Sequence, residues 1–225
     1  MPFEQRVADI LKNAETYHRA YYEAERFGGP SLYFHRRALA TQSPDVTTQH
    51  LEYVYATLAS WGMHRMGKGG SKMQNFDIFR KSVAPLRGRI AQAQEFMLSA
   101  MTGHVWNTVR EIFYGIKIMA SGTSLVGNSK AMHHMMPNLV PPIDREYTLK
   151  YLRGNKTIKN DLEAEWKLLQ CIVSDLFAPV SGDRAFAETA RAWTLQQDRF
   201  PWDTSILKVI DNLVIGSQHA KKSAR

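Results

Sequence analysis

A chain of 225 residues, 44% hydrophobic and 22% charged, holds enough apolar material for one sizeable domain or two small helical lobes, and excludes a low-complexity or extensively disordered protein. Its one cysteine, Cys171, excludes an intrachain disulfide, a cysteine-based zinc site and a four-cysteine iron–sulfur cluster. A net charge of +8 and a pI near 9.6 favour a polyanionic partner, and the absence of a signal-like amino terminus or a membrane-length apolar run favours a cytoplasmic protein.

In chain order, apolar residues at positions 3, 7, 10, 11, 14, 17 and 21 predict one long amphipathic helix, ended by Phe27-Gly28-Gly29-Pro30. A short helix over 31–39 carries Arg36-Arg37. Thr47 or Thr48 is placed to cap a helix running to about Met66. A glycine-rich basic loop, 67–72, leads to a helix over 75–100 interrupted near Pro85. Another follows over 105–120, and others near 145–153, 159–177, 184–197 and 205–215. No stretch alternates as a strand does, so the fold class is all-α. The chain reads as a single helical unit over 1–216, with a basic flexible tail over 217–225. The first helices and the last are expected to pack together, leaving 50–155 around a basic cleft. Cys171, within Leu168-Leu169-Gln170-Cys171-Ile172-Val173, is expected to be a small core residue.

The positive charge is central. Residues 1–26 nearly cancel, with four basic against five acidic, whereas 62–90 carries seven Lys and Arg against Asp77 alone. Residues 117–160 carry seven against Asp144 and Glu146. That is the footprint of a phosphate-facing groove. Two apparent motifs fall away. Gly62 to Gly69 resembles a P-loop, but Gly69 stands where Ser or Thr must hold magnesium, and the preceding residues are helical in period. His133 and His134 are adjacent, so on a helix they diverge by about 100° and share a metal poorly; neither metal nor cofactor is expected.

The segment 121–151 is the most informative. A helix ends near Ala120, a tight turn holds Gly127, a short helix begins near Ser129 and stops at Pro137, and a proline-rich connection delivers Asp144 to the next helix. Helix, glycine turn, helix is an anion-binding device, because turn N–H groups and the helix N-terminus point outward together. Gly127, Asn128, Ser129 and Lys130 then stand where a DNA strand would pass. Lys68, Lys72 and Arg145 are further candidates for DNA contact.

This segment resembles the helix-hairpin-helix DNA glycosylase superfamily, through Leu125-Val126-Gly127-Asn128-Ser129-Lys130 and the later Val140-Pro141-Pro142-Ile143-Asp144. It differs in having one glycine in the turn, no proline there, and a 14-position step from Lys130 to Asp144. The resemblance implies a helical enzyme acting on double-stranded DNA with a flipped-out base. Asp144 would be its catalytic carboxylate. Lys130 stands where bifunctional members carry the amine of a Schiff base, and its plainer role is a phosphate contact. Asp144 has a plainer role too, as the N-cap of the following helix.

Excision needs a pocket that holds the extruded base between aromatic walls. Tyr55, Trp61, His64, Arg65 and Tyr147 are the candidates, although Tyr55 and Trp61 also suit a core and His64 and Arg65 a solvated face. A pocket of that polarity suits a bulky modified base, such as the modified cytosines of phage DNA, which would make the protein a defence factor. The competing expectations are a non-catalytic helix-hairpin-helix protein that grips DNA or RNA, and a helical protein whose basic patch meets an acidic protein.

Overall fold

The structure, a computed structural model, describes residues 3–25, 28–64, 66, 67 and 70–223. It is helical almost throughout, as the periodicity predicts. Two compact units are present: residues 1–26, 141–157 and 168–225 form one, and residues 27–140 and 158–167 the other. The stretch 50–155 is therefore not one group, because the aspartate segment belongs with the two chain ends.

The first unit begins with α1 (Phe3–Lys12) and α2 (Ala14–Ala24), where the periodicity predicts one helix. The break lies at Asn13, whose side-chain amide donates to the Asp9 carbonyl at 2.9 Å and to Asp9 Oδ1 at 3.0 Å. An amide that satisfies a helix carbonyl from the side competes with the backbone ladder. A five-residue turn of wide helix, Arg145–Leu149, runs into α9 (Lys150–Arg153). Of α10 (Leu162–Ile172), only the residues from Leu168 onward belong to this unit. They are followed by a wide turn over Val173–Phe177, α11 (Ala178–Gly182), α12 (Arg184–Thr194) and α13 (Ile206–Ser223). Asp183 caps α12 through the Phe186 N–H at 2.9 Å.

Helices α2 and α13 form the spine of this unit. They meet at Gly216, where a Cβ would lie 1.9 Å from the Tyr17 carbonyl oxygen. The glycine that reads as the end of the last helix is thus a point of backbone approach inside it. The expected flexible tail is helical as far as Ser223. A buried polar chain fastens the same region: His18 Nε2 meets Asp203 Oδ2 at 2.6 Å, and Asn212 Nδ2 donates to Asp203 Oδ1 at 2.8 Å. Lys208 Nζ donates to Asn212 Oδ1 at 2.5 Å and to Asp211 Oδ2 at 2.8 Å. The His18 ring stacks on Trp193 at 3.9 Å. Buried charges hold their place when paired and hydrogen-bonded in this way.

In the second unit, α3 (Pro30–Ala40) and α4 (Thr48–Leu58) pack together. Thr47 caps α4, accepting from the His50 N–H at 3.2 Å. The chain then makes a wide turn over Ala59–Met63, with Gly62 at φ 77°, and a short hairpin of β1 (Met66–Gly67) and β2 (Gly70–Ser71). The described residues of the P-loop look-alike are therefore helical turn and strand. Asn75 caps α5 (Phe76–Val83), Pro85 lies in a tight turn, and α6 (Arg87–Gln94) follows. Next come α7 (Gly103–Gly115), an extended stretch bridged at Met119 to Met73, and α8 (Leu125–Met135). The first residues of α10 add Trp166, which packs against Trp106 and Phe113.

Candidate functional site

Helix α8 carries the residues expected to grip DNA, and the structure buries them. Gly127, Asn128 and Ser129 lie inside the helix rather than in a turn that faces solvent. A Cβ on Gly127 would stand 2.7 Å from Met119 Cγ and Sδ and 3.0 Å from Ile118 Cγ2, so this glycine serves close packing. Asn128 Nδ2 donates to the Phe113 carbonyl at 2.8 Å and closes the end of α7. Ser129 Oγ turns back to the Val126 carbonyl at 3.2 Å. The first N–H of the helix, on Leu125, donates to Glu165 Oε2 at 2.5 Å, and Glu165 is itself buried. A helix N-terminus attracts an anion, and here the anion is an internal carboxylate. The glycine turn lies earlier, at Ser121–Ser124, with Gly122 at φ 76°.

Lys130 is 9% exposed, and its ammonium lies 5.4 Å from the centroid of the Trp61 ring, within cation–π range. Around the same ring stand His35, at 5.5 Å, and His134, at 5.3 Å. The His134 Nδ1–H donates to the Lys130 carbonyl at 2.7 Å, because a carbonyl only accepts. In neutral His134 that leaves Nε2 as the acceptor for the His35 Nδ1–H, 2.9 Å away. His133 donates from Nδ1 to the Val140 carbonyl at 2.9 Å. All three imidazoles are fully buried. Gly62 forms the turn that carries Trp61 to this cluster.

Of the other pocket candidates in this unit, Tyr55 and His64 are held elsewhere. Tyr55 donates its hydroxyl to the Gln74 carbonyl at 2.8 Å and packs on Phe76, and burial raises its pKa. His64 is exposed and bonds the Ala59 carbonyl at 2.7 Å. Arg65 and Lys68 lie outside the described residues. Lys72 is exposed, and its carbonyl accepts from the Ala120 N–H.

Asp144 belongs to the first unit and is half-buried at the end of the buried run Val140-Pro141-Pro142-Ile143. Its Oδ1 accepts from the Glu146 N–H at 2.8 Å and the Tyr147 N–H at 3.3 Å, and its own N–H donates to Thr148 Oγ1 at 3.2 Å. It is the N-cap that its residue type suggests. The two bonds give partners to N–H groups at the start of the turn that have none within it. Arg145 is exposed beside it. Glu146 is held below the usual carboxylate range, chiefly by its hydrogen bond from Lys156 at 2.7 Å. Tyr147 packs against His219, and its carbonyl accepts from Gln218 Nε2 at 3.1 Å. Residues expected in a flexible tail thus brace the aspartate segment. Burial raises the Tyr147 phenol, with the nearby Asp144 carboxylate adding to it.

The expectation that Cys171 is a small core residue is corrected by the geometry. Cys171 is half-buried rather than core, donates to Asp175 Oδ2 at 2.9 Å, and has its thiol pushed up to about 11, mainly by burial. Among the described residues no three His, Cys, Asp or Glu side chains gather to hold a metal ion, and no helix is long and apolar enough to cross a membrane. Sequence reading missed His35 and His134 as partners, since 99 positions separate them and His35 lies in no motif. It also missed Glu165, although a carboxylate in the first turn of a helix is an ordinary sight.

No family model matches the chain, and no curated protein or solved structure matches it either.

Proposed function

We propose that this chain is a DNA glycosylase that excises a damaged or modified base by hydrolysis of its N-glycosidic bond. The observation that carries the reading is Asp144, a half-buried carboxylate fixed by two backbone N–H groups at a helix start, behind a rigid Pro-Pro-Ile connection. Departure of a base leaves positive, oxocarbenium-like charge on the sugar, and a fixed carboxylate stabilises it. The same group orients water for attack on the anomeric carbon. Water supplies the new hydroxyl, the base leaves with a proton, and the strand keeps an abasic sugar. The central excess of Lys and Arg supports a DNA partner.

Lys130 is the residue on which strand scission would depend, as an amine beside an aromatic ring. The buried α8 removes Gly127, Asn128 and Ser129 from the DNA contacts, which fall instead to exposed residues such as Lys72 and Arg145. A second reading, a non-catalytic DNA- or RNA-binding protein, is favoured by the cap bonds of Asp144, which account for its position without any chemistry.

Duplex oligonucleotides bearing a panel of damaged and modified bases, phage-type cytosines included, decide between them. Alkali-dependent strand breaks at one modified base establish excision, and breaks without alkali that vanish in Lys130→Ala add lyase chemistry. Retention of DNA with no breaks anywhere on the panel favours the binding protein.

A further inference from the structure

The imidazoles of His35, on α3, and His134, on α8, meet inside the unit of residues 27–140 and 158–167. Their rings stand edge to face with centroids 5.1 Å apart, and both residues are 0% exposed. The bond between them ties two helices together through groups that titrate near neutral pH.

The hydrogens of the pair can be counted. His134 Nδ1 keeps its hydrogen on the Lys130 carbonyl, so its Nε2 is the lone pair that receives the His35 Nδ1–H. A first added proton goes to His35 Nε2 and leaves that bond intact. It also makes a cation of a ring 5.5 Å from the Trp61 ring, beside which the Lys130 ammonium already stands at 5.4 Å. A second proton has only His134 Nε2 to go to, and there it sets one N–H against another across 2.9 Å. The closed pair therefore binds at most one proton, and that one against burial and like charge. Apart, each ring binds its own. Among the buried side chains of α3, α4, α7 and α8, the other titratable groups are His50, Lys130 and His133. All three are bases, and none supplies the negative charge that steadies an imidazolium.

We infer that the His35–His134 pair is an acid-sensitive junction, which closes α3 on α8 near neutral pH and opens on proton uptake, uncovering Trp61 and Lys130. The open form binds at least one proton more than the closed form. Its share therefore rises about tenfold for each pH unit below about 6.5. Junction and Asp144 chemistry are independent, so either can fail alone.

The test is hydrogen exchange of the full chain, followed by mass spectrometry from about pH 7.5 to about pH 5, a range that brackets the imidazole value. Corrected for the intrinsic exchange rate, protection of the α3 and α8 peptides reads the opening. The variant for comparison is His35→Gln. Its side-chain amide still donates to His134 Nε2 and, turned over, accepts from an imidazolium there, so this pair takes its one proton without parting. Protection in the parent should fall about tenfold more per pH unit than in His35→Gln, while His50 and His133 contribute alike to both. Equal slopes overturn the junction. Should His35→Gln show no folded melt, an NMR titration of the two rings in the parent decides. Joint uptake of no more than one proton while α3 stays protected upholds the junction. Two independent titrations near about pH 6.5 with α3 still protected overturn it.

Discussion

Helices α8 and α6 both carry glycine among polar residues, and the two glycines meet opposite surroundings. On α8 the sequence displays Gly127, Asn128, Ser129 and Lys130, yet packing against Ile118 and Met119, a hydrogen bond to the end of α7 and a ring over the lysine turn the whole group inward. On α6 the sequence displays no motif, yet Gly88 faces open space. A glycine three residues before a lysine is therefore no sign of a surface. What separates the two cases is whether an internal neighbour occupies the place of the missing Cβ.

The comparison can be broken at several points. The largest expected effect concerns the buried side. His50, on α4 and fully enclosed, has its imidazole pushed down to about 4 by burial. In the unfolded chain it titrates near the ordinary value of about 6.5. The folded state thus binds fewer protons between these values, and stability is present above pH 6.5 and lost as pH falls towards 4. The loss from this residue is about 3 kcal/mol. Denaturant melts of parent and His50→Gln across that window should differ in slope with pH, and parallel curves would contradict the assignment.

Next is Gly127→Ala, whose new methyl group overlaps Met119 and Ile118 and should cost about 2 kcal/mol. A melting temperature equal to that of the parent would mean that α8 is not packed as described. Thr47→Ala removes the cap of α4 and should cost about 1 kcal/mol, read by the same melts. The smallest effect has the opposite sign: Gly88→Ala should raise stability by roughly 0.5–1 kcal/mol, since it improves a helix and touches nothing. A loss there would mean that a neighbour occupies the space beside Gly88.

Much of the fold was legible. The helical class, the cap at Thr47, the interruption near Pro85 and the cap at Asp144 all follow from local chemistry that depends on near neighbours in sequence. The errors share a cause. Gly127 and Gly216 read as turn and terminator because isolated glycine disfavours a helix, yet both are points where another segment comes too close for a side chain. Asn13 breaks the first helix through a side-chain bond that periodicity does not register. At the candidate site, Asp144 was legible because a cap announces itself within four residues. The meeting of Trp61, Lys130, His35 and His134 was not, because it depends on the packing of α3, α4 and α8 and leaves no spacing to read.

The central claim is that the charge of Asp144, and not its place in the fold, performs excision. Asn caps a helix about as well as Asp, so Asp144→Asn removes the charge and keeps the bonds to the Glu146 and Tyr147 N–H groups. The direct measurement is release of free base from a modified duplex, followed by mass spectrometry, for the parent and Asp144→Asn at matched melting temperature. The account predicts release by the parent and a loss of at least about a hundredfold in the variant, the scale set by removing a preorganised electrostatic group. Equal release from the two proteins would contradict it.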